Sequence, residues 1–305
     1  PATTTMERND VGASGRDRFW MVMEKAIEPL HQARNDFDIF SGLAAHLGFR
    51  KTFTEGRNER EWIRHIYDVA RKQAAKKKVE LPAFEEFWEN GYVETPEPDE
   101  PFVMLSEFRM DPERYKLNTP SGKIEIFSEK IDSFGYDDCP GHPTWLEPKE
   151  WLGSRVAEKF PLHMISNQPR TRLHAQMDHS KISRESKIQG REPVRLNEVD
   201  ARARCIADGD VVKVYNDRGA LLAGAVIVDS MRPGVIELST GAWYDPLEPG
   251  QIGALDVHGN PNVLTPDHGT SKLGQGPSAH STLVEVEKFK GELPEIKIFR
   301  QPPRV

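Results

Sequence analysis

The sequence predicts a mixed fold in two parts: a helix-rich α/β region over residues 1–155 and a small β-barrel over residues 156–305. Three observations predict it. Apolar residues recur at helical spacing in the stretch that ends at Gly91. From residue 160 short β-branched runs take over, separated by turn chemistry. A chain of 305 residues, 37% hydrophobic and 29% charged, has the length for two domains and the apolar content for two cores.

Residues 16–34, RDRFWMVMEKAIEPLHQAR, set Phe19, Met23, Ala26, Ile27 and Leu30 at helical spacing. They predict a helix that Pro29 bends or ends. A second helix is expected from Asn35 or Asp36, with Ile39, Phe40, Leu43 and Leu47 as its apolar face and Gly48 as its stop. A third starts near Asn58, with Glu61 three residues on as in a capping box, and carries the stripe Trp62, Ile66, Tyr67 and Ala70. The stretch PAFEEFWENG predicts a short helix closing at Gly91, and TPEPDEP at 95–101 an acidic, proline-rich connection. PFVMLSEF and KIEIFSEK read as strands, the second introduced by the turn TPSG at 119–122. Residues 136–150, with Pro140, Pro143 and Pro148, read as an irregular linker.

The barrel strands expected are LHMIS, VVKVY, GAVIV, GVIEL and LVEVE. Turns at Asp208-Gly209-Asp210, Asn216-Asp217-Arg218-Gly219 and Arg232-Pro233-Gly234 divide them, and one short helix spans about Glu198–Arg204. Small closed barrels are built from such pieces.

The totals exclude several classes of function. Lys+Arg 41 against Asp+Glu 48 leaves a net charge of −7, with no bias toward nucleic acid. The densest basic run, Arg71-Lys72 and Lys76-Lys77-Lys78, falls where it opposes a helix dipole and faces water. Cys139 and Cys205 are too few for a four-cysteine metal site, no CxxC occurs, and free thiols are expected. No apolar run approaches the roughly 18 residues of a membrane span. His174, His179, His258, His268 and His280 form no HExxH or paired helical spacing, so no metal ligand is assigned. No GxSxG nucleophile is present. The opening PATTTMERND has no initiator Met and reads as the middle of a loop, so the chain is expected to be a piece of a longer one, and its compartment stays open.

One stretch stands out. SNQPRTRLHAQMDHS, residues 166–180, follows the apolar run 160–165 and packs arginine, histidine, glutamine and asparagine donors into one loop. Such a loop serves either solvent or a ligand rich in hydrogen-bonding edges and negative charge.

Five segments together resemble the molybdopterin oxidoreductases of the dimethyl sulfoxide reductase family, in the trimethylamine N-oxide, dimethyl sulfoxide and biotin sulfoxide reductase group. They are TPSGKIEIFS at 119–128, RLHAQMD at 172–178, REPVRLNEVDARARCIADGDVVKVYNDRG at 191–219, GAWYDP at 241–246 and GNPNVLTPDHGTSKLGQGPSAHSTLVEVEK at 259–288. PATTTMERND resembles a loop in the middle of the family's large subunit. The resemblance covers roughly the last two-fifths of a family member. It implies that residues 1–155 are the remnant of a larger central α/β domain and that 156–305 form a double-psi β-barrel.

The resemblance also implies a bis(molybdopterin guanine dinucleotide) molybdenum cofactor and a small S- or N-oxide substrate. The metal's serine ligand is expected upstream, in a missing N-terminal portion of the same enzyme. This chain alone is then inactive, with no catalytic residue of its own. Cofactor contacts carry over to Gln168 and His174, with Arg172 bracing the loop or neutralising phosphate. Gln168 stands where relatives often have His; it donates and accepts but carries no charge. Asn262, Ala279 and His280 match a second set of contacts, among glycines at 269, 274 and 276 that allow close backbone approach. The 191–219 segment reads as barrel architecture, from which Asn197 could reach a guanine edge. The alternative is a stand-alone dinucleotide-binding or structural module without catalysis.

Overall fold

The computed structural model describes residues 1–15, 17–97 and 99–301. It comprises two compact units, Pro1–Lys116 and Leu117–Val305. No helix among the described residues is long and apolar enough to cross a membrane.

In the first unit, strands β1 (Asp10–Ala13), β2 (Phe19–Met23) and β3 (Tyr92–Glu94) form an antiparallel sheet in that order. Helices α1 (Asp36–His46), α2 (Arg50–Thr54), α3 (Glu59–Lys76) and α4 (Phe84–Asn90) accompany it. Asn58 caps α3: its side chain accepts from Glu61 N at 2.9 Å, and the Glu61 carboxylate accepts from Asn58 N at 2.8 Å. Gly91 ends α4 at φ 78°, a conformation glycine adopts at little cost. Ile63, Tyr67, Leu81, Phe84 and Phe87 form the core, and Tyr67 stacks on Phe87 at 4.4 Å. Burial pushes the Tyr67 hydroxyl up to about 12, and the hydroxyl donates to Pro82 O.

Several expectations for this unit are corrected. The helix expected over 16–34 is strand β2 followed by irregular chain; Arg16 lies outside the described residues. The period there is two: Trp20 and Val22 pack on the core, while Phe19 and Met21 are exposed. Pairing on both sides, to β1 and β3, overrides helix propensity. On α1, Ser41 and Ala44 are buried while Phe40, Leu43 and Leu47 are exposed. On α3 the core positions are Ile63 and Tyr67, and Ile66 faces outward. The connection 95–101 includes Pro98, which lies outside the described residues.

The runs expected as strands at 101–108 and 123–130 are not strands. Phe102, Val103, Met104, Ile124 and Ile126 are exposed and no strand among the described residues pairs with them; a short helix, α5 (Ser106–Met110), takes part of the first. Another, α6 (Glu129–Asp132), follows the second. The TPSG turn is present: Gly122 N donates to Thr119 O at 2.9 Å.

In the second unit, β4 (Leu162–Ile165), β5 (Pro193–Asn197), β6 (Val211–Tyr215), β7 (Ala220–Val228), β8 (Val235–Leu238) and β9 (Thr282–Lys288) close into a barrel ordered β4-β8-β5-β7-β6-β9. The pairs β4–β8 and β5–β7 are parallel, and the other four are antiparallel. This mixed six-stranded closure is the double-psi β-barrel. Alternate residues such as Leu162 and Met164, Val194 and Leu196, Val212 and Val214 fill it. The strand segments expected from sequence all appear. Strand β5 was not foreseen, nor was the short helix α7 (Lys181–Glu185). Helix α8 (Glu198–Ala203) is capped by Asn197. The barrel strands begin at Leu162, but their unit starts at Leu117, because residues 117–161 fold with it: the Glu150 carboxylate pairs with Arg218 and accepts from Leu283 N at 2.9 Å.

Truncating a barrel residue should cost far more than truncating an exposed helix residue. Leu238→Ala should lower stability by about 2–5 kcal/mol, whereas Leu43→Ala should stay within about 0.5 kcal/mol. Urea unfolding followed by native-state hydrogen exchange measures both. Equal losses would show that the outer face of α1 is buried in solution.

Candidate functional site

The donor-rich loop leaves β4 and turns back on itself. His174 (φ 49°) and Met177 (φ 65°) both take left-handed backbone, and Gln176 N donates to Leu173 O at 2.9 Å. Gly241 (φ 94°) packs so closely on the His174 carbonyl that no Cβ would fit there.

The loop is held from beneath by charge. Arg172, at zero side-chain exposure, donates to Glu192 Oε1 at 2.9 Å and to Thr240 O at 2.8 Å. Lys187 Nζ lies 2.9 Å from both Asp178 Oδ1 and Glu192 Oε2. Asp178 also accepts from Ser183 Oγ at 2.9 Å and from Trp243 N at 2.9 Å. Two cations and two anions are thus buried with no net charge. Removing one partner of such a set costs about 3–5 kcal/mol, because it leaves an uncompensated buried charge. Burial alone would raise the Asp178 carboxyl, but Lys187 and the Trp243 N–H hold it below the usual carboxylate range. Burial and the Lys187 charge push the neighbouring His258 down, so its ring is neutral. Its Nδ1–H donates to Trp243 O at 2.8 Å, and its Nε2 is buried without a partner.

A second carboxylate organises the later glycine-rich segment. Asp256 accepts from Asp245 N at 2.8 Å and from Gly259 N and Asn260 N at 2.7 Å each. Burial pushes its carboxyl up against the pull of these backbone donors.

Above the charged set lies a cavity of about 550 Å³, lined by the loop residues 167–171 and by residues of β5, β7 and β8. Its polar walls include Gln168, Arg170 and Arg195 and the carboxylates of Glu192 and Glu237. Gln168 Nε2 donates to Arg172 O at 2.7 Å, which leaves its Oε1 without a partner among the described residues. Arg170 and Arg195 have no ion pair there either. Two unpaired guanidiniums and one planar amide suit an anionic, planar ligand.

The residues expected at the site separate into groups. Gln168 lines the cavity, and Arg172 lies beneath it as a brace. His174, Asn262 and His280 are exposed and Ala279 is half-buried, and none of them lines this cavity. The His280 carbonyl accepts from His163 Nε2 at 2.7 Å. Both ends of the Asn197 amide are engaged, by Val199 N at 2.8 Å and Met231 O at 2.7 Å. Arg170, Arg195 and Glu237 escaped notice. The signal for the last two was a charged residue at an outward position of a β-run, on strands whose register puts Arg195 opposite Glu237. Among the described residues no group of three or more His, Cys, Asp or Glu could hold a metal ion.

Asp256, pushed up, opposes loss of stability in acid, whereas Asp178 and His258 are both pushed down. In both cases the unfolded chain binds the proton more readily. Stability of this unit should therefore fall as pH drops below about 6.5, where an ordinary histidine protonates, and fall again below about 3.9. His258→Asn, which keeps a donor toward Trp243 O, should flatten the first decline. Denaturation midpoints between pH 7.5 and 3 (an approximate span) check this. A first decline that survives in the variant would assign it to another group.

The family model described as molydopterin dinucleotide binding domain matches residues 162–283. The chain is 47% identical over 305 residues to the dimethyl sulfoxide/trimethylamine N-oxide reductase of Cereibacter sphaeroides, covering 99% of this chain and 37% of the relative. It is 46% identical over 301 residues to trimethylamine-N-oxide reductase 1 of Escherichia coli K12, covering 97% and 35%. The chain thus spans little more than a third of the length of the relatives it matches. Among solved structures, acetylene hydratase from Pelobacter acetylenicus shares the fold at TM-score 0.70 and 20% identity, covering 95% of this chain and 38% of that one. Residues 162–283 thus match a molydopterin dinucleotide binding domain, and nearly the whole chain is similar to about a third of reductases named for dimethyl sulfoxide and trimethylamine N-oxide.

Proposed function

We propose that this chain is the cofactor-holding C-terminal portion of a molybdenum reductase acting on small S- or N-oxides, and that the cofactor is the bis(molybdopterin guanine dinucleotide) form. The observation that carries the proposal is the pair of unpaired arginines, Arg170 and Arg195, beside Gln168 in one cavity. A dinucleotide presents a diphosphate and flat ring edges, and these residue types match both. The names of the relatives, which specify dimethyl sulfoxide and trimethylamine N-oxide, support the substrate class.

When bound, the cofactor supplies two-electron redox chemistry at molybdenum. The chain's own residues bind and orient it. Arg170 and Arg195 neutralise phosphate charge, and Gln168 offers an acceptor to a ring edge. His174, Asn262, Ala279 and His280 are assigned as further contacts on the exposed loops. Arg172 and Asn197 support from below, since Arg172 Nη2 and both ends of the Asn197 amide are committed within the protein.

Guanosine diphosphate is a usable probe, because it carries the base and the diphosphate without the metal. Titrated into the chain, it should shift the amide signals of Gln168, Arg170 and Arg195. Arg170→Ala and Arg195→Ala should each weaken binding about tenfold, or about 1.4 kcal/mol, for a lost charge-assisted contact. Binding that is indifferent to both substitutions would place the dinucleotide elsewhere and sink the assignment.

A further inference from the structure

The segment Pro294–Arg300 forms no strand or helix, yet it is fastened at two buried points. The Asp245 carboxylate accepts from Lys297 N at 2.6 Å and from Ile298 N at 3.0 Å. Arg191, buried and with no carboxylate partner among the described residues, donates from Nη2 to Pro294 O at 2.7 Å. These anchors present the Phe299 ring to three groups. It meets His258 edge-on at 5.0 Å, lies against Trp243 at 5.9 Å, and carries the Arg184 guanidinium at 5.3 Å.

Trp243 is the link from that ring to the donor-rich loop. Its indole N–H donates to Ala175 O at 2.6 Å, and its backbone N–H donates to Asp178 Oδ2 at 2.9 Å. His258 donates to the carbonyl of the same tryptophan. Phe299 and Lys187 also line a common cavity of about 690 Å³.

We propose that Phe299 is a positioning residue: through Trp243, the segment 294–300 straps the loop 172–178 into the conformation that the ligand cavity requires. The coupling from strap to loop stands on the contacts above. Its bearing on a cofactor rests on the function proposed for the cavity, and the two are measured separately.

The test is hydrogen exchange on the whole ligand-free chain carrying Phe299→Ala. The amides of Gln176 and Trp243 and the Trp243 indole should exchange about tenfold faster or more, while Val212 and Val214 in the barrel keep their rates. Phe299→Tyr, which restores the ring, should return the loop rates toward those of the unaltered chain. If Phe299→Ala does not fold, Phe299→Leu reads the same protons. Unchanged rates at Gln176 and Trp243, whether or not Lys297 and Ile298 exchange faster, would overturn the strap. So would acceleration spread equally over the barrel strands, since that reports a general loss of stability. Guanosine diphosphate affinity in the same variant decides the other question: loosened loop protons with undiminished affinity would keep the strap and remove the loop from the ligand site.

Discussion

Arg172, Asp178, Lys187 and Glu192 carry their charges in a space closed to water, and the geometry of the candidate site hangs on how they pair. Each cation sits against carboxylates from more than one stretch of chain. Arg172 and Asp178 belong to the loop after β4, Lys187 follows α7, and Glu192 precedes β5. The set therefore ties a loop with two left-handed residues, a short helix and the entry to a barrel strand into one arrangement. Burial of four charges is costly, and an apolar core of the same volume would serve stability as well or better. What the charges add is direction: a guanidinium and an ammonium are satisfied only when the carboxylates stand in particular places.

That constraint explains a division of labour among polar residues that look alike in sequence. The loop 166–180 offers two arginines close together. Arg172 is consumed inside the protein, by Glu192 and Thr240 O. Arg170 stands at the cavity wall with no ion pair among the described residues. Glycines set the same layout on the backbone side. Gly241 admits the His174 carbonyl, and Gly259 packs on Glu192 where a Cβ would collide. Residues 167–171 of the donor-rich loop line the cavity, Arg172 and Asp178 are buried scaffold, and residues 173–177 are exposed.

Much of the barrel was legible because its strands alternate and its turns carry Asp, Asn and Gly at the required places. β5 was missed because Pro193 opens it and Arg195 interrupts the apolar run, although Pro is tolerated at a strand's first residue. The error at Phe19–Met23 has a plain cause: five apolar residues in a row satisfy either period, and only the partner strands decide. A stripe such as Phe40, Leu43 and Leu47 shows that a helix has an apolar face, not what that face meets. In this unit Ser41 and Ala44 are the buried positions instead. At the site, Gln168 and Arg172 could be picked out by type and place. The pairing of Arg172 with Glu192 joins residues on either side of a helix, and no local pattern announces it.

A double-mutant cycle between Arg172 and Glu192 tests the central claim most directly. Arg172→Met and Glu192→Gln would be made singly and together, and unfolding free energies of the barrel unit compared. Each single change should cost about 3–5 kcal/mol by stranding a buried charge. The pair of changes should cost less than the sum by more than about 1 kcal/mol, because the two residues share one interaction. Losses that add to within about 0.5 kcal/mol would mean that the two charges act independently, and the buried set could not then be what holds the loop.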